Sequence, residues 1–156
     1  MKAIPRARSR AVPDRRGAAL VETALILPVF LFLIFGSLDL GLAVFRYNSL
    51  SAAARHLARE AIVHGALAPP KHTTWGPTTV TTTGADSSEP AQAIWPYLST
   101  FSPANVQLQL IWLDGDTQAD HRVQATVSYP QTSLVGSVFG YGTLHLQATS
   151  TMRILH

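Results

Sequence analysis

From Ala18 to Phe45 the chain is apolar almost without interruption, with no Lys or Arg and with Glu22 and Asp39 as its only charges. As a helix these 28 residues span about 42 Å, against a hydrocarbon core of roughly 30 Å. The uncharged stretch Thr23–Leu38 is about 24 Å long, so Glu22 and Asp39 are expected near the two faces of a bilayer. The helical period then continues through Arg46–Ala66. Leu50, Ala53, Ala54, Leu57, Ala61 and Ile62 fall on one face, while Arg55 and Arg59 point to a solvated side. Gly65 and the following Pro69-Pro70 supply the stop.

Beyond the helix the period changes. Lys71–Pro90 is Thr-rich, with Gly76-Pro77, Gly84 and Ser87-Ser88, and reads as an irregular loop. Ser88-Glu89-Pro90 predicts a helix start with Ser88 as N-cap, leading to a short helix over Pro90–Leu98 that is interrupted near Pro96. Three strands follow by period two: Val106–Leu113; a second carrying Val123, Ala125, Val127 and Tyr129; and a third whose buried set is Leu144, Leu146, Ala148 and Met152. Asp114-Gly115 marks a hairpin turn between the first two, which should run antiparallel. Leu134–Gly142 reads as a Gly-punctuated crossover. Trp75, Trp95 and Trp112 are expected as core or rim anchors.

The expected fold class is α+β: a long N-terminal transmembrane helix continues into a soluble helix that packs on a small antiparallel sheet of about three strands. The organisation is a basic leader over 1–17, a transmembrane helix over 18–45, a helical extension over 46–66, a Thr/Pro-rich loop and short helix over 67–103, and an antiparallel β head over 104–156.

Charge changes the picture in one respect. Net charge is +3, but six of the 12 basic residues lie before Gly17, opposed only by Asp14. Without 1–17, six basic and eight acidic residues remain, so the basic character belongs to the leader. That argues against a nucleic-acid partner. The leader cations favour a cytoplasmic N-terminus with the rest translocated. There is no Cys, which removes disulfides and thiolate chemistry. A conventional cleaved signal would have a shorter apolar core and an A-x-A-like site, for which Gly41-Leu42-Ala43 is a weak match. Arg15-Arg16 lacks the remainder of a twin-arginine signal. A plain signal anchor explains the leader and apolar run while leaving Gly17 and Glu22 unexplained. It would make the protein a signal-anchored envelope protein with an exported ligand-binding domain.

The junction Arg15-Arg16-Gly17-Ala18-Ala19-Leu20-Val21-Glu22-Thr23-Ala24 resembles the processing region of TadE-like proteins, pseudopilins of the tight-adherence (Flp-type) pilus system. The resemblance continues through Leu25–Gly36, Asp39-Leu40-Gly41 and Ala52–Glu60, and more loosely to Thr149–Arg153. It implies a minor pseudopilin of the inner membrane, cut by a prepilin peptidase between Gly17 and Ala18. Its implied partners are that peptidase, other pilins or pseudopilins, the inner-membrane assembly platform and membrane lipid. Gly17 suits a protease site because a residue without a side chain permits close backbone approach. The new Ala18 amine would be largely cationic at neutral pH. A carboxylate in apolar surroundings costs about 2.5–3.5 kcal/mol on insertion scales, so Glu22 needs a partner: that amine, within its own helix or on a neighbour. An interfacial Glu solvated by headgroups, suited to the helix dipole, is the simpler reading. Pro28 removes one helical hydrogen bond and is expected to kink the axis, although Pro is also commoner in membrane helices generally. Asp39 matches an acidic position of the family. It is placed to cap the outer end, pair with Arg46 two turns on, pair with a neighbouring subunit or rest solvated at the interface. Ser37 and Gly41 form a small-xxx-small pair that permits close helix packing.

Enzyme chemistry finds little support. The six His residues are scattered, and no H-E-x-x-H, G-x-S-x-G or G-x-x-x-x-G-K-[ST] pattern occurs. Asp114, Asp116 and Asp120 have the opening spacing of a calcium loop, but Ala119 and Ala125 stand where Gly and Glu are required. No cofactor, metal or catalytic residue is expected, and the Asp cluster reads as a solvated hairpin tip.

Overall fold

The computed structural model describes residues 15–68, 73–138, 140 and 142–155, with backbone only at Arg15 and Arg16. The predicted leader up to position 14, and His72 and His156, lie outside the described residues. One helix, α1 (Arg15–Val63), runs through both the apolar stretch and the amphipathic extension, unbroken at Pro28. It is long and apolar enough to cross a membrane, and none of its most apolar 18-residue window is buried inside the protein. A core helix of a soluble domain would be covered there; this one presents its apolar surface outward, as a membrane anchor does.

The C-terminal part of α1 behaves differently because its face changes. Leu50, Ala53, Ala54, Leu57, Ala58 and Ala61 are fully covered, and the helix lies across β4 and β3. The Ala residues let the backbone approach the sheet, and the two leucines fill the space between; each such Leu contributes about 1.5–3 kcal/mol by burial. Arg55 and Arg59 are exposed, as their positions on the opposite side require.

The sheet has four strands in the order β1-β2-β3-β4. They are β1 (Val80–Thr83), β2 (Gln107–Trp112), β3 (Arg122–Thr132) and β4 (Thr143–Arg153), each antiparallel to its neighbour. Strict alternation buries Leu108, Leu110 and Trp112 on β2 and Val123, Ala125, Val127 and Tyr129 on β3. The Thr-rich segment expected as loop contains β1, an edge strand pairing Val80 with Leu110 and Thr83 with Gln107. Its sequence VTTT has one apolar residue, so its formation depends on β2 rather than on its own pattern.

Asp114-Gly115 turns the chain as expected, with Gly115 at φ 83°, at the start of a 113–121 connection between antiparallel β2 and β3. Two further expectations are corrected. Leu134–Gly142 is no crossover, because Thr132 pairs with Thr143 and β3 and β4 are adjacent; the connection holds a short helix, α3 (Leu134–Val138). Leu144 is 49% exposed. Helix α2 (Glu89–Ile94) passes into a 3-10 turn at Trp95–Tyr97, and Ser88 occupies its N-cap without a side-chain cap bond, only its carbonyl accepting from Gln92 N–H at 3.0 Å. Trp75 and Trp112 are buried, whereas Trp95 is 64% exposed and donates its indole N–H to the Gly84 carbonyl.

Candidate functional site at the membrane boundary

The residues singled out by sequence fall at two ends of the anchor. Gly17, Ala18 and Glu22 lie on the first turns of α1, all exposed. A Cβ built at Gly17 meets nothing within 4 Å, so the fold itself places no demand for glycine there. Among the described residues Glu22 has no ion-pair partner within the chain. Pro28 lies one-third of the way along the uncharged stretch. Gly41 is likewise open, and the Ser37 hydroxyl donates to the Leu33 carbonyl at 2.7 Å, turned back on its own helix.

At the other end, Asp39 and Arg46 are built into the head, and not with each other. One Asp39 carboxylate oxygen accepts from Ser133 Oγ at 2.5 Å and from the Val135 backbone N–H at 3.2 Å. Ser133 Oγ in turn accepts from the Gly136 N–H at 2.8 Å. The first amides of α3, which a helix start leaves without partners, are thus satisfied by a carboxylate from α1 and the hydroxyl just before α3. A negative charge at that point also suits the helix dipole.

Arg46 turns the other way. Its guanidinium donates to Gln131 Oε1 and lies over two rings, 5.9 Å from the Phe101 centroid and 5.5 Å from that of Tyr129. Those rings meet edge to face at 5.0 Å. Cation–π attraction is strongest where water is excluded, and here Gln131 is only 1% exposed. Arg46 Nε is buried without a hydrogen-bond partner. Each contact couples α1 to the sheet end nearest its apolar stretch.

Between these contacts lies a cleft of about 240 Å³ lined mainly by Gly36, Leu40, Ala43, Val135, Gly136 and Leu144, with Asp39, Gln131 and Ser133 as its polar wall. Its one hydroxyl, Ser133 Oγ, is held between the Asp39 carboxylate and the Gly136 N–H. Among the described residues no group of three His, Cys, Asp or Glu could hold a metal ion.

The remaining polar clusters secure loops. His64 stacks on Trp75 with ring centroids 4.1 Å apart, and the Glu89 carboxylate accepts from Thr73 Oγ1 at 2.5 Å and Trp75 Nε1 at 2.9 Å. At the far end of the sheet Asp114 receives the Arg122 side chain at 2.7 Å and the Arg122 N–H at 2.8 Å. The guanidinium hydrogen bond, then the backbone one, holds the Asp114 carboxyl down at about 2. The His121 ring contacts the Asp116 carboxylate and Arg153 pairs with Asp120, so this hairpin tip is cross-linked by polar contacts.

Sequence reasoning did not find Gln131, Ser133, Phe101 or Tyr129 as partners of the boundary charges. For Gln131 a signal existed: it continues the inward parity of β3 and so announces a buried polar group that needs a partner.

The family model described as TadE-like protein matches residues 17–59, from the glycine at the start of the anchor to the last turn of the helix that packs on the sheet. No curated protein and no solved structure matches the chain. TadE-like proteins are pilus-assembly components, not known as enzymes. An exposed helix long and apolar enough to cross a membrane, running into a sheet-packed extension, is thus similar to TadE-like proteins over residues 17–59.

Proposed function

We propose that the protein is a minor pseudopilin of a tight-adherence pilus, non-enzymatic, and cut by a prepilin peptidase between Gly17 and Ala18. Its N-terminus faces the cytoplasm and its head lies outside the inner membrane. The observation that carries this reading is the order Gly17-Ala18 then Glu22 at the mouth of an uninterrupted apolar helix, where the family match begins. Gly17 is only the third residue of α1. Glycine costs a helix about 1 kcal/mol relative to Ala, so this end unwinds readily to present its peptide bond. After cleavage the Ala18 amine stands one turn from the unpartnered Glu22 carboxylate. Pairing the two across subunits would fix the axial register as anchors bundle, while the sheet head contacts other pilus components.

The test is the N-terminus of the membrane-extracted protein, by intact mass and terminal sequencing. A start at Ala18 is expected, abolished in Gly17→Leu. A Cβ at this exposed position meets no neighbour within 4 Å, so loss of processing would report on the protease and not on misfolding. A start at Met1 or Lys2 would favour a plain anchor, and a start beyond Ala43 would remove the assembly helix and overturn the reading. Glu22→Gln is then expected to leave cleavage intact while reducing incorporation with its partners.

A further inference from the structure

We propose that the β3–β4 connection around α3 is a lipid-inserted wedge, which seats the head on the bilayer instead of holding it clear on a stalk. The inference rests on α1 being the membrane anchor.

Depth is the first argument. α3 lies against α1 with Leu134, Val135 and Val138 facing Pro28, Phe32 and Phe35. At the helical rise, Phe35, Phe32 and Pro28 lie about 6, 10 and 16 Å below Asp39 along the axis. Glu22 and Asp39 delimit an uncharged stretch that falls just short of the hydrocarbon thickness, so Asp39 cannot stand far above the boundary without drawing Glu22 into the core. Side chains beside Phe32 and Phe35 therefore lie inside the hydrocarbon of the head-side leaflet.

Composition is the second argument. No Asp, Glu, Lys, Arg or His occurs from Val123 to Leu144. Leu134 is 71% exposed and Val138 80% exposed, on a short connection that in water would carry polar residues. Their outward surface continues the uncovered apolar surface of α1.

The third argument is the backbone. Irregular chain in hydrocarbon costs several kcal/mol for each unpaired group. Here Val135 and Gly136 N–H go to Asp39 and Ser133, Ser133 N–H to the Gly142 carbonyl at 3.0 Å, and Ser137 N–H to the Ser133 carbonyl at 3.2 Å. The Ser137 hydroxyl covers the Leu134 carbonyl at 2.7 Å. The Asp39 clamp thus does more than fasten a loop: it lowers the polar cost of inserting the start of α3. The depth at Phe35 and Phe32 matches the roughly 5–10 Å to which interfacial segments sink, and Pro28 lies deeper.

The chain has no cysteine, so single probes can be placed on the full protein. Leu134→Cys and Val138→Cys are labelled with a polarity-sensitive fluorophore and reconstituted in phosphatidylethanolamine/phosphatidylglycerol vesicles with or without acyl-chain-brominated lipid. Leu33→Cys on α1 and Gln118→Cys in the 113–121 connection are the references. The wedge predicts bromolipid quenching at 134 and 138 comparable with that at 33, and iodide quenching several-fold weaker than at 118. Iodide quenching equal to that at 118, with 33 still quenched by lipid, would overturn the wedge and leave the anchor intact. Shielding of 134 and 138 from both quenchers would mean that protein, such as a second copy, covers them, and would also overturn it. Loss of lipid quenching at 33 would remove the anchor reading itself, and the wedge with it.

Discussion

Replacing Asp39 with Ala should release α3 from the anchor without unfolding the sheet. The substitution removes the acceptor for Ser133 Oγ and for the Val135 N–H. A hydrogen bond to a charged group contributes about 1.5–3 kcal/mol. Asp39 is only half-buried, and its two bonds share one oxygen, so they do not add. A loss of about 2 kcal/mol follows, or roughly a 30-fold increase in local opening. Amide hydrogen exchange on the detergent-solubilised protein reads this directly. Val135 and Gly136 should exchange about 30-fold faster, while Val127, paired in mid-sheet with Leu108 and Ala148, stays unchanged. Asp39→Asn keeps an acceptor but loses the charge, and should fall between. Ser133→Ala combined with Asp39→Ala should cost less than the sum of the two, because they share a bond. Unchanged exchange at Val135 and Gly136 in Asp39→Ala would refute the clamp, as would strict additivity of the double variant.

Three further outcomes are expected. Leu57→Ala opens a void between α1 and the sheet at a fully covered position and should cost about 2–5 kcal/mol. Thermal unfolding followed by the buried Trp75 and Trp112 checks this, and a loss under about 1 kcal/mol would mean that the helix is not seated as described. Gly76→Ala forces a side chain onto a residue at φ +86° and places its Cβ 2.5 Å from the Trp112 ring; it should lower the midpoint of unfolding and alter the near-ultraviolet Trp signal, whereas Gly17→Ala, which meets nothing, should do neither. Asp114, held at about 2 against its ordinary 3.8, contributes stability that is complete above the ordinary value and is lost as pH falls through about 2. NMR titration should give that midpoint, and Arg122→Ala should return it toward 3.8.

The boundary site differs from the proposed processing site in what maintains it. Among the described residues nothing constrains Gly17 or Glu22, which face outward on an exposed helix. Asp39 and Arg46 are held from within, Asp39 by Ser133 and Val135 just after β3 and Arg46 by Gln131 at its end. The Asp39–Arg46 ion pair considered from sequence fails for this reason. Two helical turns separate the pair by about 10 Å, and both groups find nearer partners across the fold.

Local periodicity sufficed for much of the architecture. The covered face of α1 from Leu50 to Ala61 follows from the helical period, and the inward sets of β2 and β3 follow from alternation, because a side chain's direction is set by its own backbone. The apolar helix was legible for a similar reason: an apolar run of that length has few physical uses. Strand β1 was not legible, since VTTT carries no alternation of apolar residues and is a strand only by pairing with β2. Leu144 follows the inward parity of β4 yet is half exposed, because α1 is already parting from the sheet there. Above all, Ser133 meets Asp39 across 94 positions of sequence. No local pattern encodes such a contact; it exists because β3 returns the chain to the level of Asp39 on α1. The sequence by itself determined that there is an anchor, a packed helix and a sheet. Only the tertiary structure decided that the sheet's apolar turn lies beside the anchor, since that depends on the length and direction of strands paired far apart in the chain.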